Sequence, residues 1–424
     1  MAVTTMAVTT LAVTKGVRTT GTGTRRYYPQ MEGMRAVAAL GVLTTHVAFQ
    51  TGMVVRPVVG PVLGRLDLAV ALFFALSGFL LWQPHAAAAR GLAPEPSLIR
   101  YVRHRFWRIW PAYAVVVVVV LVLLPEAHTT DPVVWLANLT LTQVFVPLSL
   151  TAGLTQMWSL SVEVLFYAVL PVLAWLLVSL RGKRARWRPA AVAGLGTVAL
   201  AWGPVASLIP APDGTEPQNW LIGHLPWFVA GLLLAELVAW RSSGQPMPAV
   251  LRRLCSVSSH RAVMLLVFLV AYGLACTPLA GPVGMGELSA AGFATKIGLG
   301  AIGAYAILAP LALVDGPFRF LASPVMTTLG RWSYGIFIWH VAVLAVVFGL
   351  FGIIPFSGSF LLVWVITAAL SVGVAAASYA FVEDPIRRWA TRGDRAPMLP
   401  ETAESTGVEG NMPSTPPISD DFGR

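Results

Sequence analysis

The chain has 424 residues, 56% of them hydrophobic and 11% charged, with a formal net charge of +10. A typical soluble domain is about 25% charged, so this composition excludes a soluble globular protein and points to one that lies mostly in lipid. Two cysteines, Cys255 in a polar connection and Cys276 in an apolar run, are too few and too badly placed for a disulfide framework or a metal site.

Residues 1–30 open with a repeated Met-Ala-Val-Thr-Thr and are rich in Thr and Gly. They lack the continuous apolar core of a signal peptide and read as a disordered N-terminal segment. From there to residue 390, apolar runs long enough to cross about 30 Å of hydrocarbon recur. Ten are read, near 34–55, 66–83, 109–124, 157–178, 190–208, 221–240, 262–279, 293–314, 333–353 and 359–382. A further segment, 133–149, is weakened by Asn138, Thr140, Thr142 and Gln143 and stopped by Pro147. Charge asymmetry decides its fate. With ten spans and a cytoplasmic start, nearly all of the 29 basic residues fall in inner segments, whereas an eleventh span would put most arginines outside. The expected fold is therefore all-α: a polytopic bundle of ten transmembrane helices over residues 31–390 in the plasma (inner) membrane, both termini cytoplasmic, with 133–149 on the outer face. Residues 391–424, a mixture of Pro, Ser, Thr and acids, read as a disordered cytoplasmic tail. The positive charge then serves topology and anionic lipid, and nucleic acid is not an expected partner.

Candidate chemistry lies inside the spans. Arg35 and His46 are eleven residues apart on the first span, about three helical turns, so they share one face about 16 Å apart along the axis. Both are costly in lipid and must face a protein interior or a polar cavity. A histidine in such a place can be a hydrogen-bonded packing residue, or it can be a general base for a hydroxyl proton; the arginine on its face favours the second. Ser77-Gly-Phe-Leu80 in the second span serves close helix packing or lines a channel. Arg105 and Arg108 begin the third span three residues apart, on one helical face; that spacing suits a phosphate grip and equally a positive-inside anchor. Trp158-Ser-Leu-Ser-Val-Glu163 opens the fourth span. Glu163 lies about 9 Å below the outer surface, at a depth similar to His46, and is the expected carboxylate partner of that ring. Trp158, Ser161, Tyr334 and His340 join Ser77 as candidate channel-lining residues. Glu236, His224 and Glu383 lie near span ends and read as boundary residues that reach water.

Five segments in this order resemble the acyltransferase family 3 membrane proteins: Met34-Arg35 through His46, Ser77-Gly-Phe-Leu80, Arg105-x-x-Arg108, Trp158 through Glu163 with Phe166-Tyr167, and Ser333-Tyr334 through Trp339-His340. The closing Glu383-Asp-Pro385 also fits, and the likeness covers about 30–390. The resemblance implies ten spans and transfer of an acyl group from a cytoplasmic donor, usually acyl-coenzyme A, to hydroxyls of carbohydrates or secondary metabolites. It implies that His46 is the catalytic histidine and that Arg35, Arg105 and Arg108 serve the donor phosphates, with no permanently bound cofactor. Two positions depart from the family pattern: Glu32 stands where Asp is common, and Val164 replaces a second Glu after Glu163. The expected acceptor is a cell-envelope glycan or glycolipid, with a macrolide-type metabolite as the rival. A transporter of an anionic metabolite would also need intramembrane Arg and His, but no internal repeat or pair of broken spans marks one.

Overall fold

The computed structural model describes residues 27–392 apart from positions 213, 285 and 287. Of the ends expected to be disordered, 1–30 and 391–424, residues 1–26 and 393–424 lie outside the described residues, while Pro29 and Gln30 already belong to a helix and Thr391 ends one. Among the described residues all regular structure is helical. The main elements are α1 (Pro29–Gln50), α2 (Ala69–Ala88), α3 (Leu98–Leu123), α4 (Pro132–Leu139), α5 (Trp158–Val178), α6 (Arg188–Ala199) and α7 (Leu221–Ser242). They continue with α8 (Ala249–Ser259), α9 (Arg261–Ala275), α10 (Ala290–Leu313), α11 (Pro324–Phe351), α12 (Phe360–Ser378) and α13 (Asp384–Thr391), the last two joined by a π-helical turn at Tyr379–Glu383.

Local chemistry sets the starts. The hydroxyls of Ser97, Ser289 and Ser323 accept from the backbone amides of Arg100, Gly292 and Met326 at the heads of α3, α10 and α11, satisfying donors that a helix leaves open. The unbroken run Val115–Val120 in α3 is a poor helix former in water. In hydrocarbon the backbone must bond to itself, so the run is helical there, with Val116, Val117 and Val120 buried and Val115 and Val118 exposed to lipid.

Among the described residues seven helices are long and apolar enough to cross a membrane, or eight when α8 and α9, bent by 87° at their junction, are taken as one span. This is a multi-pass membrane protein, with fewer such helices than the ten expected. Two of the expected spans fall short. The 190–208 segment breaks into α6 and a five-residue turn, Trp202–Ala206. The first span forms α1, but Glu32, Arg35 and His46 among many small residues keep it from being strongly apolar. Segment 133–149 contributes only the eight-residue α4 and does not cross.

The centre of the bundle is a close crossing of α2 and α7. A Cβ on Gly231 would fall 1.9 Å from the carbonyl oxygen of Ala75, and one on Gly78 2.3 Å from that of Phe228; only glycine lets the two backbones approach this closely. Phe74, Phe228 and Phe166 stack across the crossing at 4.3 and 4.0 Å, tying α2, α7 and α5 together. Here the boundary reading of two residues fails. Glu236 is fully buried, accepting from Arg188 at 2.6 Å, Arg90 at 3.2 Å and Trp82 Nε1 at 2.8 Å. His224 is buried among Trp158, Trp227, Phe74 and Phe293. Both lie deep because neighbouring elements cover the span ends. Arg65 is also buried: its guanidinium donates to the carbonyls of Ala275, Ala280, Gly281 and Pro282 at and just past the end of α9.

Candidate active site

The starts of α1, α3 and α11 meet the ends of α2, α7 and α12 at one face of the bundle. Between them opens a cavity of about 1170 Å³, lined among others by Glu32, Arg35, Arg105, Arg108, Tyr334 and Glu383. Three arginines far apart in sequence thus share one wall. Arg35 donates to Ser333 Oγ at 3.4 Å, and the Arg105 guanidinium lies 5.5 Å from the Tyr167 ring centroid. Arg35 and Arg108 are close enough to repel each other. Among the described residues none of the three forms an ion pair. Like charges packed together, with Glu32 and Glu383 in the same wall but not in ion-pair contact with them, form a site for an anionic ligand, and the volume suits one of nucleotide size.

A smaller cavity of about 40 Å³ continues from the first, the two sharing Arg35 and Tyr334. Ser77, Ser159, Glu163, Phe73 and Phe337 are in its wall. Glu163 is held by the Ser77 hydroxyl and by Tyr167, whose hydroxyl donates to it at 2.5 Å. Tyr334 itself is fixed by donating to the Ile109 carbonyl at 2.8 Å. Trp158 and Ser161 stay out of both cavities. Ser159 and Leu160 stand four and three residues before Glu163 and share its helical face, whereas Trp158 and Ser161 lie on the adjoining one. There Trp158 packs on His224 at 4.9 Å and Ser161 bonds back to the Met157 carbonyl at 3.3 Å.

His46 lies beyond this second cavity, half-buried, its ring centroid 5.1 Å from that of His340. His340 Nδ1 is 2.7 Å from the Phe337 carbonyl, which requires a proton on that nitrogen and leaves Nε2 as the acceptor. That Nε2 is buried without a partner. Phe337 bridges the two regions: it lines the second cavity, and its ring sits 5.9 Å from those of His340 and Phe73. Arg35, Arg105, Arg108, Ser77, Glu163 and Tyr334 are therefore brought together along one connected space, with the His46 and His340 pair behind an aromatic partition. The expected pairing of His46 with Glu163 is not formed. The carboxylate acting on the His46 ring is Asp67, which sequence reasoning passed over because Asp67 stands outside every motif. Among the described residues no cluster of three His, Cys, Asp or Glu side chains is arranged for a metal ion, and both cysteines are free.

The acyltransferase domain of family 3 matches residues 28–381. The acyltransferase MdmB of Streptomyces mycarofaciens is 28% identical over 343 residues, covering 74% of this chain and 79% of its own length. The peptidoglycan O-acetyltransferase OatA of Listeria monocytogenes is 23% identical over 399 residues, 88% of this chain but 58% of that protein. No solved structure matches. The match takes in every helix from α1 to α12, including the arginine-lined cavity and the two histidines beyond it, and the chain belongs to acyltransferase family 3, a multi-pass membrane acyltransferase.

Proposed function

We propose that the enzyme moves a short acyl group, acetyl above all, from acyl-coenzyme A to a hydroxyl of a carbohydrate-containing acceptor, a cell-envelope glycan or glycolipid. The observation that carries this reading is the wall of three unpaired arginines in a cavity that continues, through Arg35 and Tyr334, toward the histidine pair. Acyl-coenzyme A is an anionic nucleotide with a long thin arm, and that outline fits a wide cationic chamber leading into a narrow one. Arg35, Arg105 and Arg108 hold its phosphates. The arm passes Ser77 and Glu163, and the thioester reaches His46 when Phe337 swings aside. His46 takes the acceptor's hydroxyl proton, the oxygen attacks the thioester carbonyl, and the thiolate leaves. The coenzyme is a donor substrate, and no resident cofactor is proposed.

The arginine-rich face is then the cytoplasmic side of the plasma membrane, with both termini on it, and the acceptor enters from the opposite side. OatA acts on peptidoglycan by its name, which supports a glycan acceptor; a macrolide-type metabolite is the rival acceptor for the same chemistry. Mass spectrometry of envelope glycans, lipids and extracted metabolites from a deletion strain tests the reading: a missing acyl mass names acceptor and acyl group together. His46→Ala should abolish that mass shift at normal expression. Retention of the shift would overturn the assignment of His46, and altered export with no lost acyl mass would favour transport.

A further inference from the structure

With Glu163 engaged by Ser77 and Tyr167, another acid lies within electrostatic reach of the imidazole. Asp67 lies in the tight turn Arg65–Leu68 that leads into α2. This turn is fastened to α1 beside His46: Thr45 Oγ donates to the Gly64 carbonyl at 2.8 Å. One helical turn away, Gly41 approaches Ala69 so closely that an added Cβ would lie 3.1 Å from the alanine methyl. The turn therefore cannot move along α1 independently of His46. The Asp67 carboxylate is divided in its contacts. Oδ2 receives Lys296 Nζ from α10 at 2.7 Å, while Oδ1 is buried and, among the described residues, has no hydrogen-bond partner. A buried carboxylate oxygen left open is costly, and the acid anchored at one oxygen keeps the other in reserve. On the stripe 67, 70, 74 and 77 of the turn and α2, it stands one helical turn beyond Val70, which lines the second cavity along with Phe74 and Ser77. Lys296 of α10 is the cation paired with it, Tyr272 and Cys276 at the end of α9 lie within its field and that of Arg65, and His46 has the His340 ring 5.1 Å away.

Resting on the reading of His46 as the base, we propose that Asp67, clamped by Lys296 in a turn fastened to α1 beside His46, is a positioning residue for His46: a fixed anion that offsets the charge the ring acquires. In the transfer step the proton goes from the acceptor hydroxyl to His46. The acceptor oxygen forms its bond to the acyl carbon, the carbon–sulfur bond breaks, and the departing thiolate recovers the proton from His46. Asp67 takes no proton at any stage. Lys296 holds the carboxylate in place, so the anion is in position before the imidazolium forms.

The test uses the full chain in native membranes with radiolabelled acetyl-coenzyme A, following label into membrane and extractable acceptors, and in parallel the carbethoxylation of His46 by diethyl pyrocarbonate, read by peptide mass spectrometry against pH. Asp67→Asn should lower turnover about tenfold or more with the KM for acetyl-coenzyme A unchanged, and should displace the pH profile of His46 carbethoxylation. Asp67→Glu should recover part of the loss, and Lys296→Met, which keeps the anion, should cost less than Asp67→Asn. Wild-type turnover and an unmoved His46 profile in Asp67→Asn would overturn the proposal, as would a Lys296→Met loss equal to that of Asp67→Asn. If Asp67→Asn fails to accumulate as folded protein, Lys296→Met and Asp67→Glu decide: unclamping or moving the anion should displace the His46 profile in both, and unmoved profiles with wild-type turnover in both would overturn the proposal. Full transfer by His46→Ala would instead sink the assignment of the base, a result separate from these.

Discussion

Glu236 offers the sharpest test of how the bundle is held together, because one carboxylate serves two buried guanidiniums. The side chains of Arg90, Arg188 and Glu236 are exposed by 1%, 0% and 0%. Removing one member of a buried ion pair costs about 3–5 kcal/mol, since the survivor is left uncompensated. Glu236→Ala strands two cations at once and should reach the top of that range, about 5 kcal/mol. Arg188→Met leaves one anion to one cation, Glu236 to Arg90 at 3.2 Å, and should cost about 1–3 kcal/mol, the range for a lost buried polar partner. The double variant should be no less stable than Glu236→Ala alone: one stranded cation is gone, and Arg90 keeps the Trp240 ring at 4.3 Å. Thermal unfolding in detergent, followed by the monodisperse fraction after heating, reads these differences at about 2–4 °C per kcal/mol. The midpoint should fall by about 10 °C or more in Glu236→Ala and by less than half as much in Arg188→Met. Equal losses in the two would show that the two-to-one charge ratio is not what the cluster's stability depends on.

Gly231→Ala drives a methyl to within 1.9 Å of the Ala75 carbonyl oxygen; since neither backbone can yield, it should cost about 1–3 kcal/mol or more and lower the yield of folded protein in the same assay. Arg105→Ala and Arg108→Ala should each raise the KM for acyl-coenzyme A about tenfold, consistent with loss of one charge-assisted contact, with smaller effects on kcat; an unchanged KM would remove the phosphates from this cavity. Phe337→Trp enlarges the partition between the second cavity and His340 and should depress kcat while leaving donor KM close to wild type, whereas equal losses in both would place the donor arm elsewhere.

The sequence carried the membrane class and the order of the long apolar helices because hydrocarbon thickness imposes a length on each. The grouping of Arg35, Arg105 and Arg108 was anticipated from spacing within helices and from family likeness, and the structure brings them to one cavity. What failed has one cause. Depth along a single helix does not fix which neighbour covers it. Glu163 and His46 were matched by depth, but the hydroxyl of Tyr167, four residues on along the same helix, and that of Ser77 on α2 take the carboxylate. Glu236 sits near a helix end by count, yet Arg90 and Arg188 close over it from the ends of two other segments. Asp67 had no signal at all, since its importance lies in a contact with Lys296, whose place across the bundle no local pattern encodes.

The weak apolar character of α1 follows from the same geometry. Ala36, Ala38, Ala39 and Leu43 are fully buried, and Gly330 of α11 comes so near that a Cβ there would fall 2.0 Å from the Glu32 carbonyl oxygen. A helix enclosed by α2, α11 and α12 shows little of itself to lipid, so it gains nothing from Leu and Ile on its outer surface and can carry Thr, Arg and His instead. Small residues let its neighbours close in; close neighbours exclude lipid; and exclusion of lipid is what makes an arginine and a histidine tolerable on one transmembrane face. The least apolar long helix in such a bundle is therefore where chemistry should be sought. In this chain it is the helix that carries Arg35 at the wide cavity and His46 beyond the narrow one.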